Sequence, residues 1–167
     1  MIIRDARAGE LAEVGELRVA AYRADGFLSE NSTYASRLRA LGTDGAGRVL
    51  VAVEDDAIVG TVMLQGPPDA GEIVTGPDEA EVRALAVSEQ ARGRGVGWAL
   101  LRAAIERAAE QGTRHLVLCT RLDMRTAHRL YERAGFLRLP ERDWTPQPDI
   151  TLIAYGLRLD THPGGVA

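Results

Sequence analysis

Lysine is absent from the 167-residue sequence, so all 20 positions counted as Lys or Arg are arginines. That absence removes a Walker A phosphate loop, which requires Lys, and Schiff-base chemistry, which requires a primary side-chain amine. Cysteine is nearly absent as well. The single Cys119 can form no intramolecular disulfide and has no Cys or His set around it at zinc-finger spacing, so a reducing cytoplasm is the expected home and no metal is expected. No apolar stretch approaches the roughly 18 residues that span a bilayer. Met1-Ile2-Ile3-Arg4-Asp5 runs into charged sequence without an apolar h-region, so neither export nor membrane insertion is expected. Basic runs are missing too, and with a formal net charge of −4 no nucleic-acid partner is expected.

What remains is an ordinary globular composition, 46% apolar and 26% charged. The length suits one compact domain over residues 1–160, with 161–167, which includes Pro163-Gly164-Gly165, expected to form a flexible tail. Ile2–Asp5 reads as a strand, and Ala8 to Tyr22 carries helical spacing ended by Asp25-Gly26. A shorter helix is expected over Ser32–Leu41. Arg48–Glu54 and Ala57–Gln65 read as strands of a hairpin split by Asp55-Asp56. A long polar loop from Gly66 to Asp78 precedes a strand over Glu79–Val87, and such a loop in a compact domain is a candidate to line a site. Gly97–Gln111 is a helix closed by Gly112, Arg114–Thr120 a buried apolar strand, and Met124–Ala134 a helix capped by Gly135. Phe136–Leu139 and Asp149–Leu159 close the chain as strands around a Pro-rich connection. The order predicts a mixed α/β (α+β) sheet rather than a doubly wound one.

The strongest local feature is Gln90-Ala91-Arg92-Gly93-Arg94-Gly95-Val96-Gly97-Trp98, between a strand and a long helix. Glycines let backbone N–H groups crowd around an anion, and the helix start adds unsatisfied donors and the positive end of its dipole. Interleaved arginines suit phosphate oxygens. A dinucleotide fingerprint begins at Gly93 and Gly95 but meets Trp98 at its third glycine, and the nearby strand Arg114–Thr120 lacks a terminal acid for a ribose. The bland alternative is a tight turn with solvated arginines.

Gln90-Ala-Arg-Gly-Arg-Gly95 resembles the Gln/Arg-x-x-Gly-x-Gly/Ala signature of the Gcn5-related N-acetyltransferases (GNAT), and Leu130-Tyr131-Glu-Arg-Ala-Gly135-Phe136 resembles their Leu-Tyr-x-x-x-Gly-Phe signature. The element order is similar to that family's from Ile2 to about Leu159. The resemblance implies the GNAT fold, a central, mostly antiparallel mixed sheet of about seven strands flanked by about four helices, splayed at the coenzyme A site. It implies acetyl-CoA as cofactor. Leu85, Ala86 and Val87 would pair with pantetheine and offer a backbone N–H to the thioester oxygen, Arg92, Gly93, Arg94, Gly95, Val96 and Gly97 would hold the pyrophosphate beside Trp98, and Ala127 would border the cofactor. Many members carry Asn where this chain has Met124; the neighbouring Asp123 is the candidate to substitute.

Transfer to an amine needs a base and an acid. The resemblance puts Tyr131 where the family has its general acid, against the alternative of a packed core tyrosine. Glu79 and Glu81 share one strand face and match glutamates used as bases in different branches. Glu81, further from the loop, is preferred because burial would make it the stronger base. Tyr22, Phe27, Glu30 and Tyr34 near the first two helices, and Glu141, Asp143 and Trp144 near the last strands, are candidates to contact the acceptor. His128 reads as an exposed or capping histidine and Cys119 as a small buried apolar residue rather than a nucleophile. The expected acceptor is a small-molecule or peptide amine, and a homodimer, common in the family, is open. The competing functions are a non-catalytic CoA-binding or sensor domain of the same fold and an unrelated binder of phosphate ligands.

Overall fold

The computed structural model of the chain describes residues 1–29, 32–67 and 73–159, so the expected tail and part of the long polar loop lie outside the described residues. These divide into two compact units, Met1–Leu64 with Ala84–Ala104, and Gln65–Arg83 with the chain from Ile105 onward.

In the first unit β1 (Ile2–Asp5) leads through a short 3-10 turn into α1 (Leu11–Ala24), followed by α2 (Tyr34–Ala40). Gly15 lets the two helices touch: a Cβ there would lie 2.8 Å from the Arg39 carbonyl oxygen. β2 (Arg48–Glu54) pairs antiparallel with β1 and with β3 (Ala57–Gln65). The connecting Asp55 and Asp56 take φ of 50° and 65°, the left-handed pair that a two-residue hairpin turn demands and that Asp tolerates better than bulky residues. Val14, Val49, Val51 and Met63 form one buried cluster, and Val19, Ala35 and Leu38 another, so one face of α1 and α2 is apolar as their spacing requires.

β4 (Glu79–Val87) and α3 (Val96–Glu110) contribute residues to both units. Within the first, Gly60 of β3 admits the start of α3: an added Cβ would meet Leu100 at 2.8 Å and Val96 at 3.0 Å. The Ser88 amide, just past β4, donates to the Val59 carbonyl at 2.9 Å. These contacts fix the glycine-rich turn between strand and helix.

In the second unit β5 (His115–Arg121) is buried from His115 to Leu118, as its unbroken apolar run predicts. It pairs parallel with β4 only over Glu79↔His115, Ala80↔Leu116 and Glu81↔Val117. α4 (Arg125–Arg133) ends at Gly135, whose φ of 99° needs a residue without Cβ. β6 (Leu137–Arg138), β7 (Trp144–Gln147) and β8 (Ile150–Arg158) follow, with β8 antiparallel to β5, β6 and β7. The expected mixed, mostly antiparallel sheet is present, with four α-helices and eight strands among the described residues. The additional strand is β7, which sequence placed in a Pro-rich connection. All four of its residues are exposed, so no apolar alternation marks it, and Pro146 sits where its register with β8 breaks.

Candidate active site

The glycine-rich turn belongs to the first unit. After β4 a 3-10 turn over Glu89–Ala91 buries Ala91, and Val96 is buried at the start of α3, so the segment between them is held at both ends. Gly93 and Gly95 have φ of 77° and 82°, the conformation that aims consecutive amides to one side. Among the described residues the amides of Gly93, Arg94, Gly95, Val96 and Gly97 donate to nothing, and the first bond closing the helix runs from Ala99 to the Gly95 carbonyl at 3.0 Å. This cradle fits an anion such as a pyrophosphate. Its arginines are less available than the sequence suggests. Arg92 is ion-paired with Asp25 and donates to the Ala21 carbonyl, and Arg94 pairs with Glu54 at 2.9 Å. The backbone amides, not the ion-paired guanidinium groups, are the donors this turn leaves without a partner among the described residues. Arg102 stacks over Trp98 at 5.8 Å.

Leu85, Ala86 and Val87 form the end of β4, half-buried apart from the buried Ala86. The preceding Ala84 has φ of 52°, a left-handed residue inside a strand. Such a kink costs on the order of 1–2 kcal/mol and interrupts the alternation of side chains at that point.

The second unit holds the expected acid and base. Glu79 is buried and saturated with donors: Arg142 binds both carboxylate oxygens at 2.9 Å, the Thr75 amide donates at 2.8 Å, and His115 Nδ1 lies at 2.8 Å. Burial alone would raise the carboxyl, but Arg142, Thr75 and His115 outweigh it and hold it down at about 2. Gly156 makes room for the His115 ring, since a Cβ there would come within 2.7 Å of Leu139 and closer still to the imidazole. Arg142 also donates to the Ile73 carbonyl at 3.2 Å, so this clamp joins β4 to the loop before it and to the 3-10 turn Pro140–Arg142.

Glu79→Gln is accordingly expected to destabilise the fold by about 2 kcal/mol at neutral pH, as when one partner of a buried charge pair is neutralised. The folded carboxyl sits at about 2 against an ordinary 4.5, so its contribution is complete above the ordinary value and is lost as pH falls toward the folded one. Urea denaturation of both proteins at neutral pH and near pH 3 should show the gap shrinking in acid; a pH-independent gap would deny the clamp its role.

Glu81, on the same face two residues along, is also buried, with the Arg83 Nε 3.9 Å from its carboxylate. Tyr131 is buried at 7% exposure, its ring 6.0 Å from those of Phe136 and Tyr155. Burial, reinforced by Tyr155, pushes its phenol well above the usual tyrosine value. Its hydroxyl donates to no described residue. Asp123 is exposed and bound to Arg121 at 3.0 Å through both oxygens, while Met124 caps α4 and Ala127 is half-buried. His128 Nε2 lies 2.8 Å from the Arg121 carbonyl, which can only accept, so that nitrogen carries the proton.

The remaining acceptor candidates are divided. Tyr22 and Phe27 are half-buried and Tyr34 exposed in the first unit, and Glu30 lies outside the described residues. In the second, Glu141 and Trp144 are exposed, and Asp143 is taken up by Arg138 at 2.7 Å and the Ala154 amide at 2.8 Å. Cys119 is half-buried among Trp144, Glu81, Arg83 and Asp143, and burial pushes its thiol up to about 11. It is a poor nucleophile there. Sequence reading missed Arg142, His115 and Arg83; the first two have no local signal, but Arg83 shares the strand face of both glutamates and the same alternation would have found it. Among the described residues no helix is long and apolar enough to cross a membrane, and no group of His, Cys, Asp and Glu could hold a metal.

The profile of the Acetyltransferase (GNAT) family matches residues 11–136, which include the glycine-rich turn and Tyr131. A mycothiol acetyltransferase of Sanguibacter keddieii is 37% identical over 93 residues, 56% of this chain and 29% of that protein, so the chain spans under a third of its length. Among solved structures, a ribosomal-protein-alanine N-acetyltransferase from Brucella melitensis superposes with a TM-score of 0.70 at 22% identity, over 95% of this chain and 100% of that one. The yncA protein of Salmonella typhimurium, solved with its cofactor acetyl-CoA, gives 0.70 at 21% identity over 97% and 95% of the two chains.

Proposed function

Because the chain belongs to the GNAT acetyltransferase family, we propose that it transfers the acetyl group of acetyl-CoA directly to an amine, with Glu81 as general base and Tyr131 as general acid. The observation that carries the assignment of the base is the saturation of Glu79. A carboxylate already accepting from Arg142, Thr75 and His115, and held at about 2, is too weakly basic to take a proton from an ammonium group. Of the two glutamates on the strand face, the role falls to Glu81.

Acetyl-CoA, when bound, supplies a thioester carbonyl open to attack by an amine. The amides of Gly93–Gly97 would hold its pyrophosphate, and Leu85–Val87 would offer backbone groups to the pantetheine and an N–H to the thioester carbonyl. Asp123 and Ala127 border the cofactor in this reading. Glu81 attracts the acceptor's ammonium group and passes its proton on through water, leaving a neutral nitrogen. As the C–N bond forms and the C–S bond breaks, Tyr131, kept protonated by its burial, would give a proton to the departing sulfur, and the proton shed by the new amide nitrogen would restore the phenol. Phe27, Tyr34 and Trp144 remain candidates to cover the acceptor.

The test is a pH profile. An ordinary alkyl amine is mostly protonated at neutral pH, so Glu81→Gln is expected to lower kcat about tenfold there. The deficit should close at high pH, where the amine loses its proton without help. Glu79→Gln should leave a smaller, pH-independent deficit. Profiles of Glu81→Gln superimposable on the parent's would remove Glu81 from the mechanism.

A further inference from the structure

We propose that the acceptor carries a carboxylate within a few bonds of its reacting amine, and that Arg83 reads it. The inference rests on the acetyl transfer proposed above and names the substrate class for the same site. Strand alternation puts Arg83 on the face of Glu79 and Glu81. The pairing of β4 with β5 stops at Glu81↔Val117, so Arg83 lies past the residues that β4 pairs with β5.

The surroundings of the guanidinium set it apart from the other arginines of this unit that meet carboxylates. Arg142, Arg138 and Arg121 each bind a carboxylate at 3.0 Å or less. Arg83 instead donates Nη1 to the amide oxygen of buried Gln65 at 3.0 Å, and its approach to Glu81, at 3.9 Å, is too long for a hydrogen bond. Nη2 donates to no described residue, and the side chain is 32% exposed. A neutral anchor fixes the fork without cancelling its charge, which leaves one edge for a second, negatively charged acceptor.

Charge complementarity gives the class. An acceptor amine drawn to Glu81 brings a positive charge close to Arg83, which penalises a plain alkylamine. A carboxylate attached near the amine reverses that penalty, so the plus and minus of an amino acid match the minus and plus of Glu81 and Arg83. Asp143, the other acid around Cys119, does not disturb the pattern, because Arg138 and the Ala154 amide already occupy it. Free amino acids and a peptide N-terminus with an acidic first side chain share this chemistry.

The experiment measures thiol release from acetyl-CoA with matched acceptors: glycine, β-alanine and L-aspartate, each against its neutral amide or decarboxylated amine, and L-aspartyl-glycinamide for the peptide source. The acids are expected to exceed their neutral partners by about tenfold or more in kcat/KM, the span of one charge-assisted contact. Either free acids or the dipeptide leading the series supports the shared chemistry and identifies its source. Arg83→Gln should erase the preference, with the loss in KM, Arg83→Lys should restore part of it, and Gln65→Leu should weaken it. Neutral partners acetylated as well as the acids, or a preference that survives Arg83→Gln, overturns the role of Arg83 while acetyl transfer stands. No acetylation of any amine by the parent would overturn the transfer reaction itself, and this inference with it.

Discussion

Replacing Gly95 with glutamate is expected to lower affinity for acetyl-CoA on the order of 10²-fold or more, because it removes charge-assisted contacts and adds repulsion. Space does not decide this. A Cβ at Gly95 would meet nothing within 4 Å, so the effect comes from φ of 82° and from the charge. An L-residue in that conformation costs about 1–2 kcal/mol, enough to turn the amides of Arg94 to Gly97 off their common target. Gly95→Ala carries the backbone penalty without the charge and should show a smaller loss. Acetyl-pantetheine, which lacks the pyrophosphate, should bind the parent more weakly than acetyl-CoA and should be almost indifferent to either variant. Calorimetry giving equal affinities for the two ligands in the parent would remove the cradle from the account.

Tyr131→Phe is expected to lower turnover by about 10²-fold while leaving CoA affinity nearly unchanged, as for loss of a proton donor used in the chemical step. The ring keeps its contacts with Phe136 and Tyr155, and the hydroxyl donates to no described residue, so stability should change little. Its raised pKa adds a second signature. The parent's activity should not fall with alkaline pH through ionisation of this phenol anywhere near the usual tyrosine range, because burial keeps it protonated. Turnover unchanged in the variant under conditions where chemistry limits the rate would exclude Tyr131.

Most of the fold was legible because its elements announce themselves locally. The unbroken apolar run of β5 and the Asp55-Asp56 hairpin needed no distant partner to be read. β7 was not legible, since an exposed strand with a proline carries no alternating pattern and exists through pairing with β8. The cradle was visible as glycines at fixed spacing, but its charge was overestimated: the ion pair of Arg92 with Asp25, 67 residues away, has no trace in local sequence. The two strand glutamates looked alike for the same reason. The clamp on Glu79 comes from Arg142, 63 residues away, together with His115 and Thr75. Periodicity reports which face a side chain shares; only tertiary contact reports whether its charge is already in use.

The central claim, direct transfer of an acetyl group to nitrogen, is tested most directly by incubating the protein with acetyl-CoA and a panel of amines, following free thiol and identifying the product by mass. Stoichiometric release of CoA thiol and of an N-acetylated acceptor is expected, with no acetyl group retained on Cys119 or any other residue. Tight binding of acetyl-CoA without thiol release across the panel, or acetylation of a hydroxyl in preference to every amine, would contradict it.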